Sequence, residues 1–332
     1  MPGCEMSRTA FWAAGWLVGC TAAPKDDISE DSNTTDGVDD TAVNIDWPAV
    51  DTSTECPAVD FSAANPYTLT TDVVYDVEAG EELLLDLYVP DLPAPRPGVV
   101  MVHGGGFTSG SRGYMDRAAE HYASAGFVVL NVEYRRIPAV GLDDLVRDVI
   151  CSVHWGLSQA EAIGLEPTCL GTMGESAGGY LVSMVSLGGA EPSFVQGCDA
   201  DTDLQALFRW SVPYYGISDL PAFAEASGLG ALMPGLAELA GMSVEELSPT
   251  SYVGRDPGVG FFLPHGTADT VVPPSQSEVF YAALESAGHP VELRLLEGVP
   301  HGFMTGDGFL GEANGRVQGD IETFVVRMNA SR

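Results

Sequence analysis

Cys169-Leu170-Gly171-Thr172-Met173-Gly174-Glu175-Ser176-Ala177-Gly178 changes character halfway along. Its first five residues form a short apolar run of strand type. The rest is a Gly-x-Ser-x-Gly turn opening onto Ala177 to Leu187, a segment of helix-forming composition. In the order strand, turn, helix, the flanking glycines allow a strained elbow that lifts the Ser176 hydroxyl above the edge of a sheet. The N-terminus of the helix beneath it offers backbone N–H groups and the positive end of a dipole to a developing oxyanion. The pentapeptide alone arises often by chance, so the weight rests on its flanks.

Working outward, the same alternation of strand and helix runs from about Tyr67 to the end. Asp72 to Val77 and Leu83 to Val89, separated by Ala79-Gly80-Glu81, read as an antiparallel hairpin. Six further apolar runs follow: Gly98 to Val102, Phe127 to Glu133, Cys169 to Met173, Trp210 to Tyr215, Phe261 to Leu263 and Val291 to Leu296. Between them Tyr114 to Ala125, Leu142 to Leu157, Ala177 to Leu187 and Ser275 to Ala287 have helical spacing. Runs buried on both faces and joined by helices predict an α/β fold, with a mostly parallel eight-stranded sheet and helices on each side. In such sheets the ligand crevice lies at the carboxyl ends of the strands.

Two more motifs fall at such ends. His103-Gly104-Gly105-Gly106-Phe107 follows Gly98 to Val102, and its glycines let backbone N–H groups approach a carbonyl oxygen closely. Gly105, Gly106 and Ala177 are therefore the expected oxyanion donors, with His103 bracing the loop through hydrogen bonds. A phosphate-cradling loop is the competing reading, but no Lys-Ser/Thr follows and no GxGxxG is formed. Asp269, in Gly266-Thr267-Ala268-Asp269, and His301, in Pro300-His301-Gly302-Phe303, each follow a predicted strand. A hydroxyl is a weak nucleophile, so His301 is expected to take the Ser176 proton while Asp269 fixes the imidazole tautomer. Of the other histidines, His265 is expected to pack at a strand end, His154 to lie within a helix, and His121 and His289 to be solvated.

Together HGGGF, GESAGG at 174–179, GTADTVVP at 266–273 and PHGF at 300–303 resemble the α/β-hydrolase superfamily. The likeness is to bacterial esterases related to hormone-sensitive lipase, in the ferulic-acid-esterase-like or acetyl-esterase-like branch. It extends through Glu133-Tyr134-Arg135, Tyr215 to Leu220 and Ser248-Pro249, and covers roughly residue 70 onward. The resemblance implies a serine carboxylesterase without cofactor or metal, acting on a small-molecule or polysaccharide ester. The GTxDxxVP context of Asp269 departs from the acid motif of the core hormone-sensitive-lipase group, so that group's substrates are not carried over. Residues 219–256 look like an inserted helical cap, and Phe107, Tyr180, Leu232 and Met233 are candidate pocket residues. A prolyl-oligopeptidase-like serine peptidase shares the triad order and GTxD context but normally carries a large additional domain. A catalytically silent surface binding protein is the non-enzymatic alternative.

The 332 residues carry 47 acidic against 14 basic side chains, a formal charge of −33, which repels nucleic acid and argues against it as a partner. Arg8 precedes an apolar run, Ala10 to Gly19, too short to span a bilayer and of the length of an export-signal core. It ends in Leu17-Val18-Gly19-Cys20, which resembles a bacterial lipobox and marks Cys20 as a lipidation site. The expectation is an exported protein, lipid-anchored at the cell envelope, with residues 1–20 as signal. Residues 21–60 hold eleven acidic side chains against Lys25 and read as an acidic disordered tether ahead of a catalytic domain at 61–332. Export leaves Cys56, Cys151, Cys169 and Cys198 in an oxidising compartment, where one or two disulfides in any of three pairings are expected. Oligomeric state is not readable from the sequence.

Overall fold

The computed structural model describes residues 55–189, 191–198, 204, 207–227, 230, 233–255 and 258–330. The predicted signal, Cys20, most of the predicted tether and Leu232 lie outside the described residues.

Eight strands alternate with helices. They are β1 (Tyr67–Glu78), β2 (Glu81–Pro90), β3 (Arg96–Val102), β4 (Val128–Val132), β5 (Leu165–Glu175), β6 (Phe208–Tyr214), β7 (Gly260–Gly266) and β8 (Val291–Leu296). The helices are α1 (Asp116–Ala125), α2 (Leu142–Ser158), α3 (Ala160–Ile163), α4 (Ala177–Gly188), α5 (Pro192–Val195), α6 (Leu220–Ser227), α7 (Met233–Ala240), α8 (Ser275–Ala287) and α9 (Glu312–Ala330). The strands form one sheet in the order β1-β2-β4-β3-β5-β6-β7-β8. The β1–β2 and β2–β4 pairs are antiparallel, and every pair from β4 to β8 is parallel.

The expected eight-stranded, mostly parallel sheet is therefore the observed one, and its cause is visible strand by strand. Every residue of β4, β6 and β7 is buried, as is all of β3 after Arg96. A strand sends successive side chains to opposite faces, so complete burial requires cover on both. On β7, Phe261 meets Phe280 of α8 while its neighbour Phe262 meets Phe324 of α9 on the other face. Residues of α1 and α9 share one core with Val99, Met101, Met173 and Trp210. The β1–β2 turn places Ala79 at φ 51° and Gly80 at φ 87°, the left-handed pair that a two-residue hairpin needs to match strand twist.

Four differences from the sequence reading have physical reasons. The end of the predicted tether is held rather than free: Cys56 is bonded to Cys169 and its amide donates to the Asn329 carbonyl, while Val59 packs on the core. Local composition could not show this, because every partner is remote in sequence. His289, expected to be solvated, is fully buried, with Nδ1 2.9 Å from the Val259 carbonyl and Nε2 accepting from the Gly254 amide. Helix α9 was not anticipated; Gly315 and Gly319 weaken its propensity, although Val317, Ile321, Phe324, Val325 and Met328 trace one buried stripe. His121 is half-buried and bonded to Glu322 at 2.8 Å rather than free in solvent. The open cysteine question resolves into two disulfides, Cys56–Cys169 and Cys151–Cys198.

The inserted segment at 219–256 holds α6, α7 and a 3-10 turn at Pro249–Tyr252. Its neck is tied shut: the Leu220 amide donates to Ser248 Oγ, the Thr250 amide to the Ser218 carbonyl, and Gln276 Oε1 accepts from the amides of Ser218 and Asp219.

Candidate active site

Ser176 stands between β5 and α4 with φ 56° and ψ −116°, a conformation that costs a side-chain-bearing residue about 1–3 kcal/mol. Two bonds hold it there. Its amide donates to the Tyr214 carbonyl at 2.9 Å, and its carbonyl accepts the first helical bond from Tyr180 at 3.0 Å. The turn also needs Gly178, because a Cβ at that position would lie 2.0 Å from the carbonyl oxygen of Val102 on β3. Helix α4 thus abuts the end of the neighbouring strand, and the hydroxyl is pushed up at the carboxyl ends of the parallel strands.

The loops after β7 and β8 reach the same edge. His301 Nε2 lies 2.9 Å from Ser176 Oγ, and His301 Nδ1 lies 2.6 Å from Asp269 Oδ2. The other carboxylate oxygen of Asp269 accepts the amides of Val271 and Val272 at 2.8 and 2.9 Å. Behind it His265, fully buried at the end of β7, places Nε2 2.9 Å from the Val272 carbonyl and 3.4 Å from Asp269 Oδ2, while Nδ1 meets Ser277 Oγ at 2.7 Å. Burial by itself pushes the Asp269 carboxyl up, but hydrogen bonds from His265, His301 and the Val272 amide outweigh it and hold the group well below the usual carboxylate range. Near neutral pH Asp269 therefore faces His301 as a carboxylate. Tyr215 packs edge-on against the imidazole, with ring centres 4.7 Å apart, and its hydroxyl accepts the Met304 amide at 3.3 Å, which steadies the histidine loop.

The glycine loop after β3 turns on left-handed residues: Gly105 at φ 121°, Gly106 at 61° and Phe107 at 64°. At Gly105 a Cβ would meet the Ser109 carbonyl at 2.0 Å, so no other residue fits. Among the described residues, the amides of Gly105, Gly106 and Ala177 have no protein acceptor, which leaves them free for an anionic oxygen. His103 is fully buried, stacks on Tyr134, and sets Nδ1 2.6 Å from the Gly104 carbonyl and Nε2 3.2 Å from Glu133 Oε1.

Residue-by-residue reading passed over two carboxylates of this site. Glu175, the variable position inside the Gly-x-Ser-x-Gly turn, is buried and accepts the Gly104 amide at 2.7 Å, tying the nucleophile turn to the glycine loop. Burial raises its pKa above the ordinary range, and the Gly104 amide, His301, His103 and Thr305 offset only part of that rise. Glu133 pins both His103 and Arg136. Pattern recognition quoted both residues within motifs but assigned neither a task, because their partners are 71 and 30 residues away along the chain.

Of the candidate pocket residues, Phe107 and Tyr180 are buried and meet edge to face with ring centres 5.3 Å apart. The Tyr180 hydroxyl donates to the Leu247 carbonyl at 2.7 Å, fastening α4 to the end of the inserted segment. Met233 begins α7 and is partly exposed. No group of three or more metal-ligating side chains occurs among the described residues.

Comparison with known proteins agrees with this geometry. A family model described as BD-FAE matches residues 85–284. Esterase LipQ of Mycobacterium tuberculosis is 30% identical over 232 residues, covering 66% of this chain and 53% of that protein. A probable isoprenylcysteine alpha-carbonyl methylesterase, ICMEL1 of Oryza sativa subsp. japonica, is 28% identical over 250 residues, covering 71% and 58%. The chain thus spans about half the length of the curated relatives it matches. Among solved structures, the thermophilic esterase Est2 of the planctomycete Thermogutta terrifontis with propionate bound is 25% identical at a TM-score of 0.67, covering 81% of this chain and 96% of that one.

Proposed function

The chain belongs to the BD-FAE family, and from that premise we propose that it is a serine carboxylesterase hydrolysing small carboxylic esters through an acyl-enzyme. Acetyl and feruloyl esters of polysaccharides are the candidate substrates. The observation that carries the reading is the unbroken relay from Ser176 Oγ through His301 to Asp269, at 2.9 and 2.6 Å. The esterase names of the relatives support ester hydrolysis, and the propionate bound to Est2 supports a short acyl group.

On this reading, Ser176 Oγ attacks the ester carbonyl as its proton passes to His301 Nε2. The carbonyl electron pair moves onto oxygen, and the amides of Gly105, Gly106 and Ala177 stabilise that charge in a water-poor site where fixed dipoles are worth most. The imidazolium is held by Asp269 and then protonates the departing alkoxide as the carbon–oxygen bond breaks. A water molecule, deprotonated by His301, attacks the acyl-enzyme and restores Ser176. The inserted segment at 219–256, which carries α6 and α7, would cap the acyl or alcohol group.

Hydrolysis of p-nitrophenyl acetate without cleavage of an aminoacyl-p-nitroanilide is the expected outcome. Cleavage of the anilide alone would favour a peptidase. Ser176→Ala is expected to lower esterase turnover by several orders of magnitude, and failure of Ser176 to react with a fluorophosphonate in folded protein would leave a binding protein instead. The location proposal is separate: acylation of Cys20 would anchor an exported protein at the envelope, with Thr21 after the cysteine favouring the outer membrane in a Gram-negative host. Cys20→Ala is then expected to release the protein from the membrane fraction and abolish labelling by a palmitate analogue.

A further inference from the structure

Behind the triad sits a histidine that no step of the mechanism uses. His265, the last residue but one of β7, is fully buried, and solvent reaches neither its side chain nor that of Asp269. A carbonyl oxygen can only accept, so the 2.9 Å approach of Nε2 to the Val272 carbonyl requires a ring hydrogen on that nitrogen. The same Nε2 lies 3.4 Å from Asp269 Oδ2, the oxygen that meets His301. On the other side of the ring, Nδ1 is 2.7 Å from Ser277 Oγ in the first turn of α8, where the adjacent Gln276 ties the neck of the inserted segment. Tyr215 packs edge-on against both imidazoles, its ring centre 6.4 Å from that of His265 and 4.7 Å from that of His301.

On the esterase reading of the triad, we propose that His265 is a positioning residue, held by Ser277, that fixes the Asp269 carboxylate in the orientation His301 needs. The Val272 amide donates to Asp269 Oδ1 while the Val272 carbonyl accepts from His265, so the imidazole clamps the 269–272 turn from the side opposite the carboxylate. A carboxylate offers about four lone-pair sites, two on each oxygen. Those of Oδ1 take the amides of Val271 and Val272; those of Oδ2 take His301 and, more loosely, His265. With every site occupied and water excluded, rotation of the carboxylate would give up contacts that nothing replaces. At 3.4 Å the His265 approach is longer than an ordinary hydrogen bond, so it acts chiefly through charge. Burial would raise the Asp269 carboxyl, and the contact with His265 leads those that hold it low instead.

Fluorophosphonate labelling of Ser176, together with kcat and KM for p-nitrophenyl acetate, tests the role on the full chain. Misplacing a reacting group by about 1 Å costs on the order of a hundredfold, so His265→Leu should slow labelling and lower kcat by about tenfold to a hundredfold, with KM little changed. Glutamine sets an amide N–H near the position of Nε2, so His265→Gln should recover most of that loss; a side chain that merely filled space would bring no such rescue. Should His265→Leu fail to fold, His265→Asn takes its place, because its shorter amide reaches only as far as the Nδ1 position. Nitrogen-15 NMR reads the ring hydrogen without any substrate and is expected to find it on Nε2. A hydrogen on Nδ1 alone, a parental labelling rate in the Leu variant or its Asn substitute, or a Gln variant as slow as either overturns the proposal. A parent that labels but leaves p-nitrophenyl acetate intact would count against the ester reading alone, and the labelling rates of the variants would still decide the role of His265.

Discussion

Replacing Glu175 separates a carboxylate that positions the oxyanion loop from one that merely fills space. Its Oε1 accepts the Gly104 amide at 2.7 Å, inside a site where Glu175 is 3% exposed. A hydrogen bond to a charged group is worth about 1.5–3 kcal/mol. Glu175→Ala removes it and strands the Gly104 amide, so the loop that carries Gly105 and Gly106 loses its anchor. If that energy is felt only when the oxyanion forms, kcat falls by roughly tenfold to a hundredfold with KM little changed, less than the 10²–10³ of deleting a donor outright. Glu175→Gln keeps an oxygen acceptor and should retain most activity. The pH dependence of stability adds a second readout. Because burial raises the Glu175 pKa, the folded protein keeps this proton to higher pH than the unfolded chain. The associated stability is full below the ordinary value of 4.5 and declines as pH rises through the raised one. Glu175→Gln should flatten that decline. Steady-state kinetics with p-nitrophenyl acetate and denaturant melts from acid to neutral pH supply both tests. An Ala variant with parental kcat, or a Gln variant as impaired as Ala, refutes the reasoning.

Asp269→Asn should preserve the fold near neutral pH and reduce kcat by about four orders of magnitude, since the amide no longer holds the productive His301 tautomer; a loss under tenfold in stopped-flow assays would contradict the relay. Asp269 is depressed below its ordinary 3.8, so its stability contribution is present above that value and lost as pH falls through the folded one; acid melts of the Asn variant should lack that loss. Gly178→Ala forces a Cβ to within 2.0 Å of the Val102 carbonyl, and should cost about 1–3 kcal/mol and abolish fluorophosphonate labelling of Ser176; an unperturbed labelling rate would show that the elbow tolerates a side chain. Replacing Cys56 and Cys169 by Ser opens a bridge between residues 113 apart in sequence; a loss of roughly 2–5 kcal/mol and several degrees of Tm is expected by calorimetry, and an unchanged Tm would mean that the bridge does not constrain the unfolded chain.

How much was legible in the sequence depended on the range of the forces involved. The parallel sheet was readable because its central strands β3, β4, β6 and β7 carry near-continuous buried runs, and that pattern is written in consecutive residues. The elbow at Ser176 and the left-handed glycine loop were readable because φ above zero and close backbone approach demand glycine at particular places. Ser176, Asp269 and His301 could be picked out one by one since each follows a strand, and a parallel sheet delivers all such positions to one edge.

Tertiary structure alone decided which groups meet across the chain. The tie of Glu175 to Gly104, the burial of His289 and the pairing of Cys56 with Cys169 all join residues far apart in sequence. A local pattern reports backbone preference and which face a residue turns inward, because both act over a few neighbours. It cannot report the partner of a buried polar atom, because that partner is chosen by packing after the sheet has closed.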